Sequence, residues 1–286
     1  LGCGGGKCDA ASIVAGGAAH ASEVRGDLLF FGQGFGAFRS QPDGAGRVQI
    51  GAADGGVLQV ASDGELVFYR ATDGLHRAQI DGGSPSHVAD AGAITSVAVG
   101  KTVFFYAAGS QVVRAVKNVM FAGPPSIFDA GSSIPVVIAD GDRAYFLVEE
   151  AGGLGVIRWR EEESEGVLAE RLAKPQQLAQ DATHVYWASG ASPEIYRVPK
   201  GTAKATPEVV ASYAPTQAGV RALTVTDDAV YWVASTGVGG DAKLYKAPKC
   251  GGDVTLLRVI DHAGGLAADA QWIYWGTPNG IERMAR

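Results

Sequence analysis

Apolar residues recur along this chain in short runs, separated by glycine, aspartate, asparagine and proline. No long run carries them at the 3.6-residue period of an amphipathic helix, so the pattern predicts short strands joined by turns. The strongest run is a triplet, an apolar residue followed by two aromatics. It stands at Leu29-Phe30-Phe31, Val67-Phe68-Tyr69, Phe104-Phe105-Tyr106, Ala144-Tyr145-Phe146, Val185-Tyr186-Trp187, Val230-Tyr231-Trp232 and Ile273-Tyr274-Trp275. The first and fourth copies are the loosest.

The triplets are about 40 residues apart, a spacing that marks four-stranded blades arranged around an axis. Three further features keep phase with them. An apolar segment precedes each triplet and often ends in aspartate, as in Val60-Ala61-Ser62-Asp63, Val137-Ile138-Ala139-Asp140, Leu178-Ala179-Gln180-Asp181 and Leu266-Ala267-Ala268-Asp269. It reads as the innermost strand and the turn leaving it, where a carboxylate can accept backbone N–H groups two residues on. A strand with a basic residue follows each triplet: Arg39, Arg77, Arg114, Arg158, Arg197, Lys246 and Arg283. A residue repeated in every blade is expected to pack blades, laying its stem along the sheet and giving its charge to a turn aspartate or a carbonyl. Outer strands follow six of the triplets, at residues 48–50, 87–89, 127–129, 167–169, 209–211 and 255–257. The seventh is missing downstream, and Ser12-Ile13-Val14-Ala15 supplies it from the other end. The expectation is an all-β, seven-bladed propeller of four-stranded antiparallel blades, a single domain over residues 1–286. Residues 1–10 are a partly flexible tether, and residues 11–16 are the outer strand of blade 7. Closing a ring in this way removes exposed strand edges.

Composition agrees. The 41 glycines exceed the usual share of roughly 7% and are spread as turn signals. Arg160-Glu161-Glu162-Glu163-Ser164-Glu165 looks like a helix start but falls, in phase, at the turn between the third and fourth strands of blade 4. The net charge of −6 disfavours nucleic acid and anionic membrane surfaces as partners. No apolar run reaches the roughly 18 residues that span a bilayer.

The triplets with their flanks resemble the bacterial YWTD-like propeller repeats, whose units carry an apolar-Ala-x-Asp segment, Val-Tyr-Trp, and then Arg/Lys-Val-Pro-Lys. The best matches are Leu178-Ala179-Gln180-Asp181 with Val185-Tyr186-Trp187 and Arg197-Val198-Pro199-Lys200, and the blade containing Lys246-Ala247-Pro248-Lys249. The likeness covers nearly the whole chain and is weaker in blades 1 to 4. It implies the fold and a place outside the cytoplasm, and assigns no activity. The start, Leu1-Gly2-Cys3-Gly4-Gly5-Gly6, resembles the tail of a bacterial lipoprotein signal followed by a short tether. That resemblance implies a lipid anchor at Cys3 and a location in the periplasm, on the outer membrane or at the cell surface. A Cys8–Cys250 or Cys3–Cys8 disulfide suits an oxidising compartment, and the pairing stays open.

Ligands of propellers usually sit near the axis, on the face where each blade's inner strand begins. The residues expected there are His20, Glu23, Gln59, Ser96, Gln177, Arg221 and His262, which differ from blade to blade as a site requires. His20, Glu23 and His262 alone approximate a His/Glu/His lyase site. Glu149, Glu150 and Asp241 are oxygen donors for Ca²⁺ in long loops, without the spacing of a calcium loop; no other cofactor is expected. His76, His87 and His184 have packing or surface roles. No Gly-x-Ser-x-Gly nucleophile elbow is present. The expectation is a noncatalytic extracytoplasmic binding or scaffold propeller, with no assigned catalytic residue, holding a protein or glycan partner by its axial face or rim. The alternatives are a lyase or hydrolase of a small cyclic ester or sugar at the channel mouth, with or without a divalent metal, and a structural subunit of a cell-surface assembly.

Overall fold

The computed structural model describes residues 10–90, 92–117, 126–213, 219–235, 242–261 and 264–286. They form seven four-stranded antiparallel sheets, each following the chain outward from the axis. Blade 2 is representative: Val57–Ser62 innermost, then Leu66–Ala71, Gly74–Gln79 and the outer Ser86–Asp90. Among the described residues the only helical element is a single 3₁₀ turn at Ala151–Gly153. Blade 7 is built from both ends, Gly264–Ala268, Trp272–Thr277 and Gly280–Ala285 being completed by Ala11–Ala15. The closing pair is antiparallel, with Ala11 opposite Arg283 and Ala15 opposite Gly280. Val14 is 4% exposed in this seam. Gly280 is required there, since a Cβ on it would fall 1.7 Å from the Val14 carbonyl oxygen.

The triplets lie on the second strand of each blade, which is sandwiched between two neighbouring blades. Side chains alternate faces along a strand, so a strand buried on both faces reads as a continuous apolar run. The middle aromatic faces the following blade and the flanking two face the preceding one. Tyr186 packs with Val230 and Trp232 of blade 6, and Tyr231 with Ile273 and Trp275 of blade 7. Phe68 meets Phe104 at 4.3 Å between ring centroids. Each fully buried aromatic contributes roughly 2–3 kcal/mol.

The basic residue of the third strand sits opposite that middle aromatic in six blades, as in Phe68 with Arg77 and Tyr186 with Arg197. Its head reaches a carbonyl of the next blade: Arg39 to Ile80 (2.8 Å), Arg77 to Lys117 (2.7 Å), Arg197 to Lys249 (2.8 Å) and Arg283 to Pro42 (2.6 Å). Blade 4 departs from the sequence reading. Trp159 occupies the slot opposite Tyr145, and Arg158 pairs one residue further on, with Phe146. The Trp159 ring fills the place of a basic stem and carries the Arg143 guanidinium over its face, 4.7 Å from the centroid. The acidic stretch falls at the predicted turn, between Leu154–Glu161 and Ser164–Ala173.

Candidate functional site: the two mouths of the channel

The inner strands line a channel with two mouths. At the back mouth, where these strands end, the expected aspartate turns form at Asp63, Asp181 and Asp269. Asp181 accepts the N–H groups of Thr183 and His184, both at 2.8 Å, and Asp269 those of Gln271 and Trp272, both at 2.7 Å. The outer carboxylate oxygens take hydroxyls from Tyr186 (2.8 Å) and Tyr274 (2.6 Å). A lysine from the next blade completes several turns: Lys249 to Asp181 at 2.6 Å, Lys200 of blade 5 to Asp140 of blade 4 at 2.8 Å, and Lys117 to Asp63. Blades 5 and 6 are thus held both ways, Arg197 donating forward to the Lys249 carbonyl and the Lys249 ammonium donating back. Burial pushes the Asp181 carboxyl up. The hydrogen bonds from Lys249, Thr183, Tyr186 and His184 outweigh it and hold the group well below the usual carboxylate range. A polar cavity of about 530 Å³ opens here beside Arg25, Asp63, Lys101, Lys117 and Asp140.

The front mouth, where the inner strands begin, is built differently. Register shifts interrupt the inner strands of all blades except the fourth, near Ser22, Leu58, Thr95, Gln177, Arg221 and Gly265. Such bulges re-aim side chains and end regular pairing. Gln177 has a left-handed backbone, φ 49°. A cavity of about 630 Å³ lies at this mouth and draws on every blade: His20; Gln59 and Arg70; Thr95 and Ser96; Glu149; Gln176 and Gln177; Arg221; and Gly265. That volume is within the range of small-ligand and peptide side-chain pockets.

Five of the residues expected at the mouth, His20, Gln59, Ser96, Gln177 and Arg221, come together in this cavity. Two of them also stitch inner strands together. The Gln59 amide donates to the Val97 carbonyl (2.9 Å) and accepts from its N–H (3.1 Å), and Ser96 Oγ exchanges bonds with Val137 at 3.3 Å. These bonds satisfy backbone groups on strand edges that face the channel. Glu23 is not brought to the cavity. It accepts from the Ser62 N–H (2.9 Å) and from Arg25 (2.9 and 3.0 Å), and burial pushes its carboxyl up. His262 lies outside the described residues, as do Cys3, Cys8 and Asp241; Cys250 is exposed. Among the described residues no three His, Cys, Asp or Glu side chains gather to hold a metal, and no helix is long and apolar enough to cross a membrane.

Sequence reasoning missed Arg70 and Gln176. Arg70 follows directly on the triplet Val67-Phe68-Tyr69 and reads there as ordinary strand. Its burial lowers the guanidinium pKa, and its Nε is buried without a partner. Burial, and then the charge of Arg70, lower the His20 imidazole pKa.

No family model and no curated protein matches this sequence. Solved structures do. A selenomethionine-substituted virginiamycin B lyase from Staphylococcus aureus superposes with a TM-score of 0.75 at 11% identity, covering 98% of this chain and 99% of that one. YCF48 from Cyanidioschyzon merolae gives 0.70 at 12% identity, covering 97% and 98%. A chain of a nidogen/laminin complex gives 0.61 at 13% identity, covering 83% and 94%. At these identities the likeness establishes the seven-bladed ring and nothing finer.

Proposed function

We propose that this chain is a noncatalytic binding propeller that works outside the cytoplasm and holds a segment of a protein partner in its front mouth. One observation carries the reading: a cavity of about 630 Å³ to which all seven blades contribute, rich in amide, hydroxyl and guanidinium groups. Those groups match the N–H, C=O and carboxylate groups of an extended peptide. Among the described residues no Phe, Tyr or Trp lines the cavity to stack on a sugar face, which favours a protein over a glycan there. The lyase alternative needs Glu23 beside His20, and Glu23 is engaged with Ser62 and Arg25. The lipoprotein-like start at Cys3 supports the location.

A photoreactive residue placed at Gln177 and, separately, at Lys101 of the back mouth tests this. Crosslinking to a partner polypeptide from position 177 alone is expected. Equal yields from both positions, or none from 177, would overturn it.

A further inference from the structure

We propose that the front mouth recognises a carboxylate, an aspartate or glutamate side chain of its partner, which docks on the guanidinium of Arg70; this rests on the binding reading above. The first argument is broken symmetry. Register with the neighbouring strands puts Arg70 two residues beyond the middle aromatic of blade 2. The same place in the other blades holds Gly32, Ala107, Leu147, Ala188, Val233 and Gly276. Small or apolar residues therefore satisfy the fold at this position, and a charge there answers some other need.

The second argument is an unmet donor. Arg70 is half-buried, and its Nε is buried without a partner. Desolvating part of a guanidinium without an acceptor is costly, and that cost marks a charge that the fold does not use for itself. Arg114, Arg158 and Arg283 also have a buried, unpartnered Nε, but they belong to third strands, away from the axis. Of these four, Arg70 alone lines the cavity.

The third argument concerns the kind of anion. Among the described residues that line the mouth the charged groups are Arg70, Arg221 and Glu149, a surplus of one positive charge on a chain whose net charge is −6. A single carboxylate matches that surplus, and its two oxygens match the planar fork of a guanidinium. The amides of Gln176 and Gln177 lie in the same cavity and supply neutral donors for the backbone around it.

The test uses the intact chain and three probes: hexaglutamate, hexaglutamine and hexagalacturonate. Calorimetric titration is expected to show hexaglutamate binding at least tenfold more tightly than the other two. Arg70→Gln brings hexaglutamate down to the hexaglutamine level, Arg70→Lys retains part of the difference, and Lys101→Gln at the back mouth changes nothing. An unaltered melting temperature in Arg70→Gln separates loss of binding from loss of fold. Hexaglutamine binding as well as hexaglutamate, or Arg70→Gln binding as the wild type does, overturns the carboxylate assignment and leaves the front-mouth reading standing. Preference for hexagalacturonate overturns the assignment to a protein side chain. Absence of binding by all three, together with no crosslink from position 177, overturns both.

Discussion

The two mouths of this channel are made from opposite ends of the same seven strands, yet they treat polar groups in opposite ways. At the back mouth a short set of residue types recurs: a turn aspartate, a tyrosine hydroxyl, and a lysine from the next blade. The charges meet inside the repeat. At the front mouth the strands are bulged, the residues differ from blade to blade, and the Nε of Arg70 and the Oε1 of Gln176 are buried without partners. The back mouth spends its carboxylates, tyrosine hydroxyls and lysines on its own turns; the front mouth gathers amides, hydroxyls and guanidinium groups around a cavity, and is the one suited to bind.

The largest expected effect removes both mouths at once. Deleting residues 1–17 strips the outer strand from blade 7, losing the buried Val14 and its ladder. A loss of roughly 4 kcal/mol or more is expected, read by denaturant melts. Melting like the full chain would show that the ring closes without that strand.

The next variant acts on the back mouth alone. Asp181→Ala removes the acceptor for two turn amides, Tyr186 and Lys249. It is expected to cost about 2–3 kcal/mol at neutral pH while leaving hexaglutamate binding intact. Loss of binding in this variant would dissolve the division between the mouths.

Acid tests the same clasp without mutation. Asp63 and Asp181 are both held below the usual carboxylate range in the folded chain, burial raising each and the lysine and amide hydrogen bonds prevailing. A depressed carboxylate stabilises the fold above its unfolded pKa, near 4, and that contribution fades as pH falls towards the folded value. The melting temperature should therefore drop below about pH 4, and less steeply in Asp181→Ala.

The smallest effect belongs to the front mouth. Gln177→Gly relieves a left-handed backbone and is expected to change stability by no more than about 1 kcal/mol, in the stabilising direction. Binding should weaken with it, since strain held at a site is there for what the side chain does.

The ring was legible because the second strands are buried on both faces, which prints an uninterrupted triplet into each blade. The exception was blade 4. Arg158-Trp159-Arg160 offers two basic residues around the slot, and only cross-strand register shows that Trp159 fills it. Of the site, His20, Gln177 and Arg221 were visible because they differ where neighbours are expected to match. Gln59 and Ser96 were visible too, but their second role depends on the backbone of the next blade, which no local pattern encodes. Arg70 was hidden by adjacency to the aromatic run. Aligning the seven repeats against one another exposes it as the one charge in a column of small and apolar residues.

The antiparallel seam of blade 7 also sets how the ring responds to force. Ala11 begins one strand and lies opposite Arg283, near the end of the other, so tension between the two ends of the chain enters at one edge of the seam. The load then falls on one hydrogen-bonded pair at a time, from Ala11–Arg283 towards Ala15–Gly280, as a zipper opens. A parallel seam would share the load across all its pairs and resist in shear. This propeller should therefore open at low tension when drawn from Ala11 and Arg283.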